Sequence, residues 1–365
     1  MTDDFLNKKL QDRRDANALR SLKISANKID FCSNDYLGIV KNRLIENLAT
    51  PKLSHGSTGS RLLSGNYQLI EETENQVADF HDAAAGLIFN SGYDANTGLL
   101  SCVPQKNDVI IYDQFSHASL RDGIRLSFAT SFSFLHNNIE DLEKKMSLSK
   151  ATSKNIFVVT ESVFSMDGDF APLKEISSLC DKYNAALIVD EAHATGVVDE
   201  EGQGLVQQLN LQDKCFARIH TFGKACGAHG AIILGSSKLK TYLLNFCRQF
   251  IYTTALPPAA AEAISISYKI FPQLKKEREN INQLISIFKN AKLKYVRLPS
   301  ETPIQIVVIP GNTEVKKAAE VLQENNFDIR PILYPTVQKG EERLRIVLHA
   351  FNTVEEVQRV VRLLS

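Results

Sequence analysis

Three residues in this sequence are of types that can do covalent chemistry on a carbonyl group. Lys224 follows an apolar, β-branched segment and is surrounded by glycines, while Asp190 ends another apolar run and His193 comes three residues later. A lysine amine forms a Schiff base with an aldehyde, and a carboxylate keeps a pyridine nitrogen protonated so that the ring accepts electrons. The combination therefore predicts a site for pyridoxal 5′-phosphate (PLP).

Each of these residues also has an ordinary structural interpretation. A lysine that follows a strand is usually a solvated surface residue. Asp190 would serve as the N-cap of a following helix, and His193 would be a histidine satisfied within the core. The PLP interpretation depends on the order and spacing of the three residues, and on the further segments described below.

Composition narrows the class of protein. The 365 residues contain 42 Lys+Arg and 42 Asp+Glu, so the formal net charge is zero and gives no electrostatic reason to expect binding to nucleic acid or an acidic membrane. No apolar run approaches the roughly 20 residues of a membrane span, and the polar N-terminus lacks the apolar core of a signal peptide. The six cysteines are scattered without a CxxC pair. We therefore expect a cytoplasmic enzyme with reduced thiols and no metal.

Short apolar runs alternate with helical patterns through the first two thirds of the chain. These runs lack period-two alternation, which favours a mostly parallel central sheet with helices on both faces, an α/β architecture. In such sheets ligands bind beyond the carboxyl ends of the strands, where Asp190 falls. The runs predicted as strands are 83–90, 108–113, 155–162, 185–192, 217–223 and 230–235.

The pattern changes near Pro257 and Pro258. A long helical stretch is predicted over 259–292, and strands and helices of a smaller α+β unit follow it. We expect three parts: an N-terminal helix and strand segment over 1–40 that packs with the small domain, a large PLP-binding α/β domain over 41–258, and a small C-terminal α+β domain over 259–365.

Nine segments in the same order carry a resemblance to a known family. They are SNDYLG (33–38), HGSTGSRLLSGN (55–66), FNSGYDAN (89–96), FSHASLRDGIRLS (115–127), TESVFSMDGDFAPL (160–173), VDEAHATGV (189–197), TFGKACG (221–227), IYTTALPP (251–258) and LYPTVQKGEERLRIVL (333–348). Over essentially its whole length the chain resembles the α-oxoamine synthases, a group of PLP enzymes of fold type I (aminotransferase-like). Within that group it is most similar to the branch that works in biotin biosynthesis.

The resemblance implies a role for each matching residue. Lys224 would be the Schiff-base lysine, Asp190 would pair with the pyridine nitrogen, His193 would bond the phenolic oxygen, and His117 would stack on the ring and orient the acyl carbonyl. The other implied contacts to the cofactor are Gly92, Tyr93, Ser165, Thr221 and Thr254. Three of these residues have ordinary alternatives: His117 could simply cap the helix that begins at Ala118, Ser165 could close a turn, and Gly92 could serve only the backbone geometry.

Four further residues match substrate-contacting positions of the family. Asn34 and Arg345 resemble the pair that holds the substrate carboxylate, a task suited to the bidentate guanidinium. Arg20 and Thr336 match positions on the side of the acyl thioester. Alternatively, Arg345 would lie with Arg343 on a solvated strand face.

The activity implied by the resemblance is a decarboxylative condensation of L-alanine with a pimeloyl thioester, on CoA or a carrier protein, in a homodimer. Three alternatives stay open. A glycine acyltransferase of the 2-amino-3-ketobutyrate ligase kind is favoured by the long loop 331–340. Cys226 and His229 depart from the residues usual in the biotin branch and have no assigned role. A catalytically silent partner subunit would lack Lys224. A nucleotide-binding Rossmann protein would show GxGxxG after its first strand, and none is visible.

Overall fold

The computed structural model describes residues 3–22, 24, 27–150 and 153–365. The chain divides into a large unit, formed by Leu37–Ser165 and Phe170–Arg278, and a small unit, formed by the described residues of Met1–Tyr36 together with Met166–Asp169 and Glu279–Ser365. The boundaries anticipated from the sequence, after residues 40 and 258, stay predictions.

The strands and α-helices of the described residues are numbered along the chain. The strands are β1 Ile29–Asp30, β2 Ala85–Phe89, β3 Val109–Asp113, β4 Thr130–Phe134, β5 Ile156–Glu161, β6 Ala186–Asp190, β7 Cys215–Thr221, β8 Ala231–Gly235, β9 Val296–Arg297, β10 Ile304–Val308, β11 Phe327–Asp328, β12 Arg330–Ile332 and β13 Arg343–Val347. The helices are α1 Asn7–Asp15, α2 Gln68–Phe80, α3 Gly92–Cys102, α4 Ala118–Leu126, α5 Ile139–Lys150, α6 Leu173–Tyr183, α7 Leu205–Gln208, α8 Ser237–Phe246, α9 Arg248–Ile251, α10 Pro258–Ile270, α11 Lys275–Asn290, α12 Asn312–Glu324 and α13 Val354–Leu364.

The large unit is built on a sheet whose described strands run in the order β2-β8-β7-β6-β5-β3-β4. The five strands from β7 to β4 pair in parallel, and β8 is antiparallel to both of its neighbours. Residues of both faces are buried, because helices cover the sheet, and this is why its central strands read as continuous Val and Ile runs. The predicted α/β class with a mostly parallel central sheet is confirmed.

Three adjacent strands of this sheet end at residues that can do chemistry. β5 ends at Glu161, β6 at Asp190 and β7 at Thr221, and Glu161 lies directly opposite Asp190 in the pairing. Parallel strands present their carboxyl ends at one edge, so these side chains and the loops that follow them share that edge. The sheet thus gathers residues that are distant in sequence.

The structure corrects two expectations about local elements. The edge strand β4 was not predicted, because its sequence TSFSF is largely exposed and lacks the continuous apolar run of the buried strands. The long helix predicted over 259–292 is two helices, α10 and α11, separated by the turn Phe271–Gln273. Pro272 lies in that turn and has no backbone N–H to continue a helix.

The small unit contains an antiparallel sheet in the order β12-β13-β10-β9 and a parallel pair of β1 with β11. Helix α13 begins with a capping box at Thr353, and it buries Val357, Val360 and Leu364. The segment after α1 belongs to the same unit, where the carbonyl of Ala16 accepts a hydrogen bond from the Asn312 amide. A small α+β unit is therefore present, as predicted.

Among the described residues, none of the helices has the length and apolar character needed to cross a membrane.

Candidate active site

The amine of Lys224 lies against His193 at the carboxyl edge of the large sheet. Lys224 Nζ donates a hydrogen bond to His193 Nε2 at 2.8 Å. Lys224 follows β7 by three residues, and the loop that carries it closes at Gly227 and Gly230, which adopt φ of +61° and +104°. Residues with a side chain rarely adopt such backbone angles, so glycine is needed at both positions. Two of the predicted residues are thus in direct contact.

Asp190 is held by donors on both of its oxygens. Oδ2 accepts from Asn96 Nδ2 at 2.7 Å, and Oδ1 accepts from the backbone N–H of Ala192 at 2.9 Å. The side chain is 5% exposed. Burial and two fixed donors orient this carboxylate, as a partner for a protonated ring nitrogen requires.

His117 is joined to Asp190 by a chain of hydrogen bonds. Asn96 Nδ2 also donates to Ser119 Oγ at 2.9 Å, and Ser119 Oγ lies 2.7 Å from His117 Nδ1. The backbone N–H of Ser119 donates to the same Nδ1 at 3.2 Å, which makes His117 the N-cap of α4. The cap uses a lone pair in the plane of the ring, so a ring that caps the helix still has its faces for stacking.

Glu161 is a buried carboxyl group beside these residues that was not predicted from the sequence. Its Oε1 accepts the backbone N–H of His117 at 2.6 Å. Burial raises the pKa of Glu161 well above its usual range, and the negative charge of Asp190 raises it further. Burial also lowers the pKa of His117, although the charge of Asp190 opposes this. These shifts favour the protonated form of Glu161 and the neutral form of His117.

An anion could bind where α3 begins. An α-helix leaves the N–H groups of its first turn without partners in the helix. In α3 the Asp94 N–H donates to the Ser91 side chain, so the groups that could face an anion are those of Gly92 and Tyr93. A Cβ at Gly92 would lie 3.4 Å from Thr221 Oγ1, so glycine keeps the space beside that hydroxyl open. The Tyr93 hydroxyl points elsewhere and donates to Asp122.

The two remaining cofactor candidates lie in loops of the same unit. Ser165 is half-buried, in the turn that the bridge between Val163 and Phe170 closes. Thr254 is exposed, and its carbonyl accepts a hydrogen bond from Asn90, two residues before α3, at 2.8 Å. Their roles at a cofactor stay predictions.

The small unit brings together both of the predicted substrate pairs. Arg345 Nη2 donates to Asn34 Oδ1 at 3.0 Å, and the buried hydroxyl of Tyr36 donates to the same oxygen at 3.1 Å. Arg20 Nη2 donates to Thr336 Oγ1 at 3.0 Å. The alternative in which Arg345 shares a solvated strand face with Arg343 is wrong.

That alternative fails because Arg343 is buried and forms an ion pair with Asp167 at 2.8 Å. Arg345, between Arg343 and the end of the strand, is only partly exposed. Side chains two residues apart on a strand share a face, but that face is covered at Arg343 and so is not a solvated one.

The arrangement in the large unit fits PLP by the chemistry of its side chains. It provides an amine for the aldehyde, an oriented carboxylate for the pyridine nitrogen, an imidazole with a free ring face, and backbone donors at a helix N-terminus for the phosphate. Among the described residues no group of His, Cys, Asp and Glu is arranged to hold a metal ion. Asn96, Ser119 and Glu161 belong to this arrangement and were missed, although all three lie within the motifs quoted above.

Comparison with known proteins supports the same family. The model of the family "Aminotransferase class I and II" matches residues 26–364. An 8-amino-7-oxononanoate synthase of Emericella nidulans is 38% identical over 393 aligned positions, which cover 99% of this chain and 95% of that protein.

Solved structures agree with this. Serine palmitoyltransferase from S. paucimobilis, with a bound PLP–myriocin aldimine, has a TM-score of 0.88 at 25% identity, covering 99% of this chain and 96% of that one. The 8-amino-7-oxononanoate synthase of Francisella tularensis has a TM-score of 0.76 at 28% identity, covering 92% and 96%. The resemblance inferred from the motifs is confirmed: the chain belongs to the aminotransferase class I and II family, and its curated relatives include 8-amino-7-oxononanoate synthases.

Proposed function

We propose that this protein binds PLP and catalyses the decarboxylative condensation of L-alanine with a pimeloyl thioester. The products are 8-amino-7-oxononanoate, CO2 and the free thiol, as in biotin biosynthesis. The observation that carries the proposal is the contact of Lys224 with His193, together with the buried carboxylate of Asp190, which accepts a hydrogen bond on each oxygen. The names of the full-length relatives support the choice of reaction. A cytoplasmic location stays a prediction.

In this proposal the cofactor is held by residues of the large unit, and Thr254 reaches the phosphate from the neighbouring subunit. Lys224 binds its aldehyde carbon, Asp190 its ring nitrogen and His193 its phenolic oxygen, while His117 lies on the ring face. The phosphate is bound at the start of α3. The residues proposed to contact the phosphate and the edge of the cofactor ring are Gly92, Tyr93, Ser165, Thr221 and Thr254.

When bound, PLP supplies an electron sink for the carbanion formed at the amino acid Cα. The residues of the chain do the remainder. Lys224, once alanine has taken its place, removes the Cα proton as general base. Asp190 keeps the ring nitrogen protonated, and His117 donates a hydrogen bond to the acyl carbonyl oxygen. Arg345 and Asn34 bind the amino acid carboxylate, and Arg20 and Thr336 contact the acyl thioester.

The test is a comparison of kcat/KM for two substrate pairs, L-alanine with pimeloyl-CoA and glycine with acetyl-CoA. We expect the first pair to be preferred, chiefly through the acyl chain, because each buried methylene contributes about 0.8 kcal/mol. The single methyl that distinguishes alanine from glycine contributes only about 1–3 kcal/mol, so some turnover of glycine is expected.

The same assay separates the remaining substrate questions. Faster turnover of glycine with acetyl-CoA would show that the assignment to the biotin branch is wrong, while the PLP site could still stand. A pimeloyl carrier protein, assayed in parallel with pimeloyl-CoA, identifies the preferred form of the acyl donor.

We also propose that the protein is a homodimer. The segments HGSTGSR (55–61) and IYTTAL (251–256) resemble segments that reach a neighbouring subunit's cofactor in this family. Large apolar side chains are exposed directly after the first segment and within the second: Leu62 and Leu63 are 50% and 85% exposed, and Tyr252 is 73% exposed. Apolar side chains grouped on a surface commonly mark an interface. Light scattering should give a mass of two chains, and Leu63→Glu should shift it towards one; an active protein of one chain's mass would contradict the proposal.

A further inference from the structure

Asn96 and Ser119 link the carboxylate of Asp190 to the imidazole of His117. The distances along this path are 2.7 Å from Asn96 Nδ2 to Asp190 Oδ2, 2.9 Å from Asn96 Nδ2 to Ser119 Oγ, and 2.7 Å from Ser119 Oγ to His117 Nδ1. Asn96 is 3% exposed and Ser119 is 1% exposed. The two linking residues are therefore shielded from solvent, while the imidazole of His117 at the end of the path is exposed.

The direction of each hydrogen bond follows from its members. A carboxylate only accepts, so the NH2 group of Asn96 faces Asp190, and its second hydrogen goes to Ser119 Oγ. Ser119 Oγ has two acceptor lone pairs and one hydrogen, so it donates that hydrogen to His117 Nδ1 if this nitrogen carries no proton. The protonation of Nδ1 therefore decides the direction of the last hydrogen bond.

The backbone gives an independent reading of His117 Nδ1. The Ser119 N–H lies 3.2 Å from Nδ1 and can only donate, so Nδ1 carries no proton. An imidazole with an unprotonated Nδ1 is neutral, and the lowered pKa of His117, caused chiefly by burial, agrees with this. The single proton of a neutral imidazole then lies on Nε2.

The side-chain oxygen of Asn96 accepts no hydrogen bond from the described residues. This oxygen, Oδ1, is buried. A buried acceptor without a partner costs stability, and an apolar side chain of similar shape would avoid that cost. The polar side chain at this position is therefore better explained by what its two donors orient than by packing.

We infer that Asn96 and Ser119 are positioning residues that hold His117 as the Nε2–H tautomer, a hydrogen-bond donor and not a base towards the substrate oxygen. This inference rests on the proposed function for the identity of that oxygen. The tautomer itself rests only on the contacts above. Asp190 in this scheme orients two groups, the ring nitrogen directly and His117 through Asn96 and Ser119.

The test uses the protein as purified, with its cofactor, labelled with 15N at histidine. Solid-state NMR distinguishes a protonated from an unprotonated imidazole nitrogen, and the His117 signals are assigned by their loss in His117→Gln. We expect an unprotonated Nδ1 and a protonated Nε2. In Asn96→Leu and Ser119→Ala the Nδ1 signal should shift, because the hydroxyl donor is lost or free to rotate.

Kinetics of the same variants give a second readout. Loss of one well-oriented donor should lower kcat about ten- to a hundredfold, with the KM for alanine little changed. Thr97→Val is the matched control: Thr97 is the next residue of α3, and its hydroxyl bonds only backbone carbonyls of its own helix in the described contacts. That variant should leave the His117 signals and kcat unchanged.

The outcomes separate the inference from the proposed function. A protonated Nδ1 in the wild-type protein would overturn the inference even if the enzyme turned over normally. So would an Nδ1 signal that does not move in either variant. Wild-type protein without bound PLP or without turnover of alanine and pimeloyl-CoA would contradict the proposed function, while the NMR signals would still decide the tautomer.

Discussion

Replacing Lys224 with alanine should abolish both turnover and the covalent attachment of PLP. The amine near His193 is proposed to bind the cofactor aldehyde and later to remove the Cα proton, and alanine can do neither. General-base catalysis alone contributes about 10²–10⁴-fold to a rate, so the loss in kcat should be at least of that size. Wild-type protein should be yellow, with a visible absorption band from the Schiff base. Borohydride should abolish that band and leave a reduced PLP adduct on Lys224, detectable by peptide mass spectrometry.

Two further variants make this result specific. Lys224→Arg keeps the positive charge, but a guanidinium stays protonated and does not form the Schiff base, so it should be as inactive as the alanine variant. Lys238→Ala removes an exposed lysine of α8 in the same unit and should stay yellow and active. Colourless wild-type protein with no adduct after incubation with PLP, or a borohydride adduct on another lysine, would contradict the assignment.

The central residues of the site were predictable because buried parallel strands have a strong sequence pattern. β6 is an apolar run and β7 a mostly buried strand, and Asp190 and Lys224 are polar residues at or shortly after their ends. In a parallel sheet such ends meet at one edge. The order of the motifs then supplied the residues of the loops, including His117 and Gly92.

Asn96 and Glu161 could not be predicted in the same way. Asn96 is a polar residue inside a helix, and nothing in the spacing of α3 shows that it faces Asp190, 94 residues later. Glu161 ends a buried strand just as Asp190 does, but its partner is the backbone of His117, which no sequence pattern indicates. Both contacts depend on the order of the strands in the sheet, and that order follows from packing of the whole unit.

His117 shows that a structural and a catalytic interpretation need not exclude each other. The sequence offered a choice between a helix cap and a ring that stacks on the cofactor. The structure shows the cap, made by Nδ1, and the cap fixes the orientation of the ring. A residue that stabilises the start of α4 is thereby held rigidly enough to orient a substrate.

The second large effect is expected for Asp190→Asn. Asparagine has nearly the same shape, but it is neutral and cannot stabilise a positive charge on the pyridine nitrogen. Removing a single preorganised electrostatic contact lowers kcat about 10²–10³-fold, and we expect a loss of that order with little change in the KM for alanine. Steady-state kinetics on the variant loaded with PLP measure both quantities.

Asp108→Asn provides the matched control for this prediction. Asp108 is also buried and accepts hydrogen bonds on both oxygens, from the Gln105 N–H at 2.8 Å and the Asn155 amide at 2.7 Å, but it lies at the opposite end of the sheet, before β3. Its variant should lose stability and keep kcat. An equal loss of kcat in both variants would show that the effect of Asp190→Asn is general destabilisation.

Glu161 gives an independent check on the charge of Asp190. That charge raises the pKa of Glu161, so replacing Asp190 with neutral asparagine should lower it, and Glu161 should lose its proton at a lower pH than in the wild type. The infrared band of a protonated carboxyl group, assigned by its absence in Glu161→Gln, follows this titration directly. A band that titrates at the same pH in both proteins would mean that Asp190 is not a carboxylate anion beside Glu161, and the role proposed for it at the ring nitrogen would fail with it.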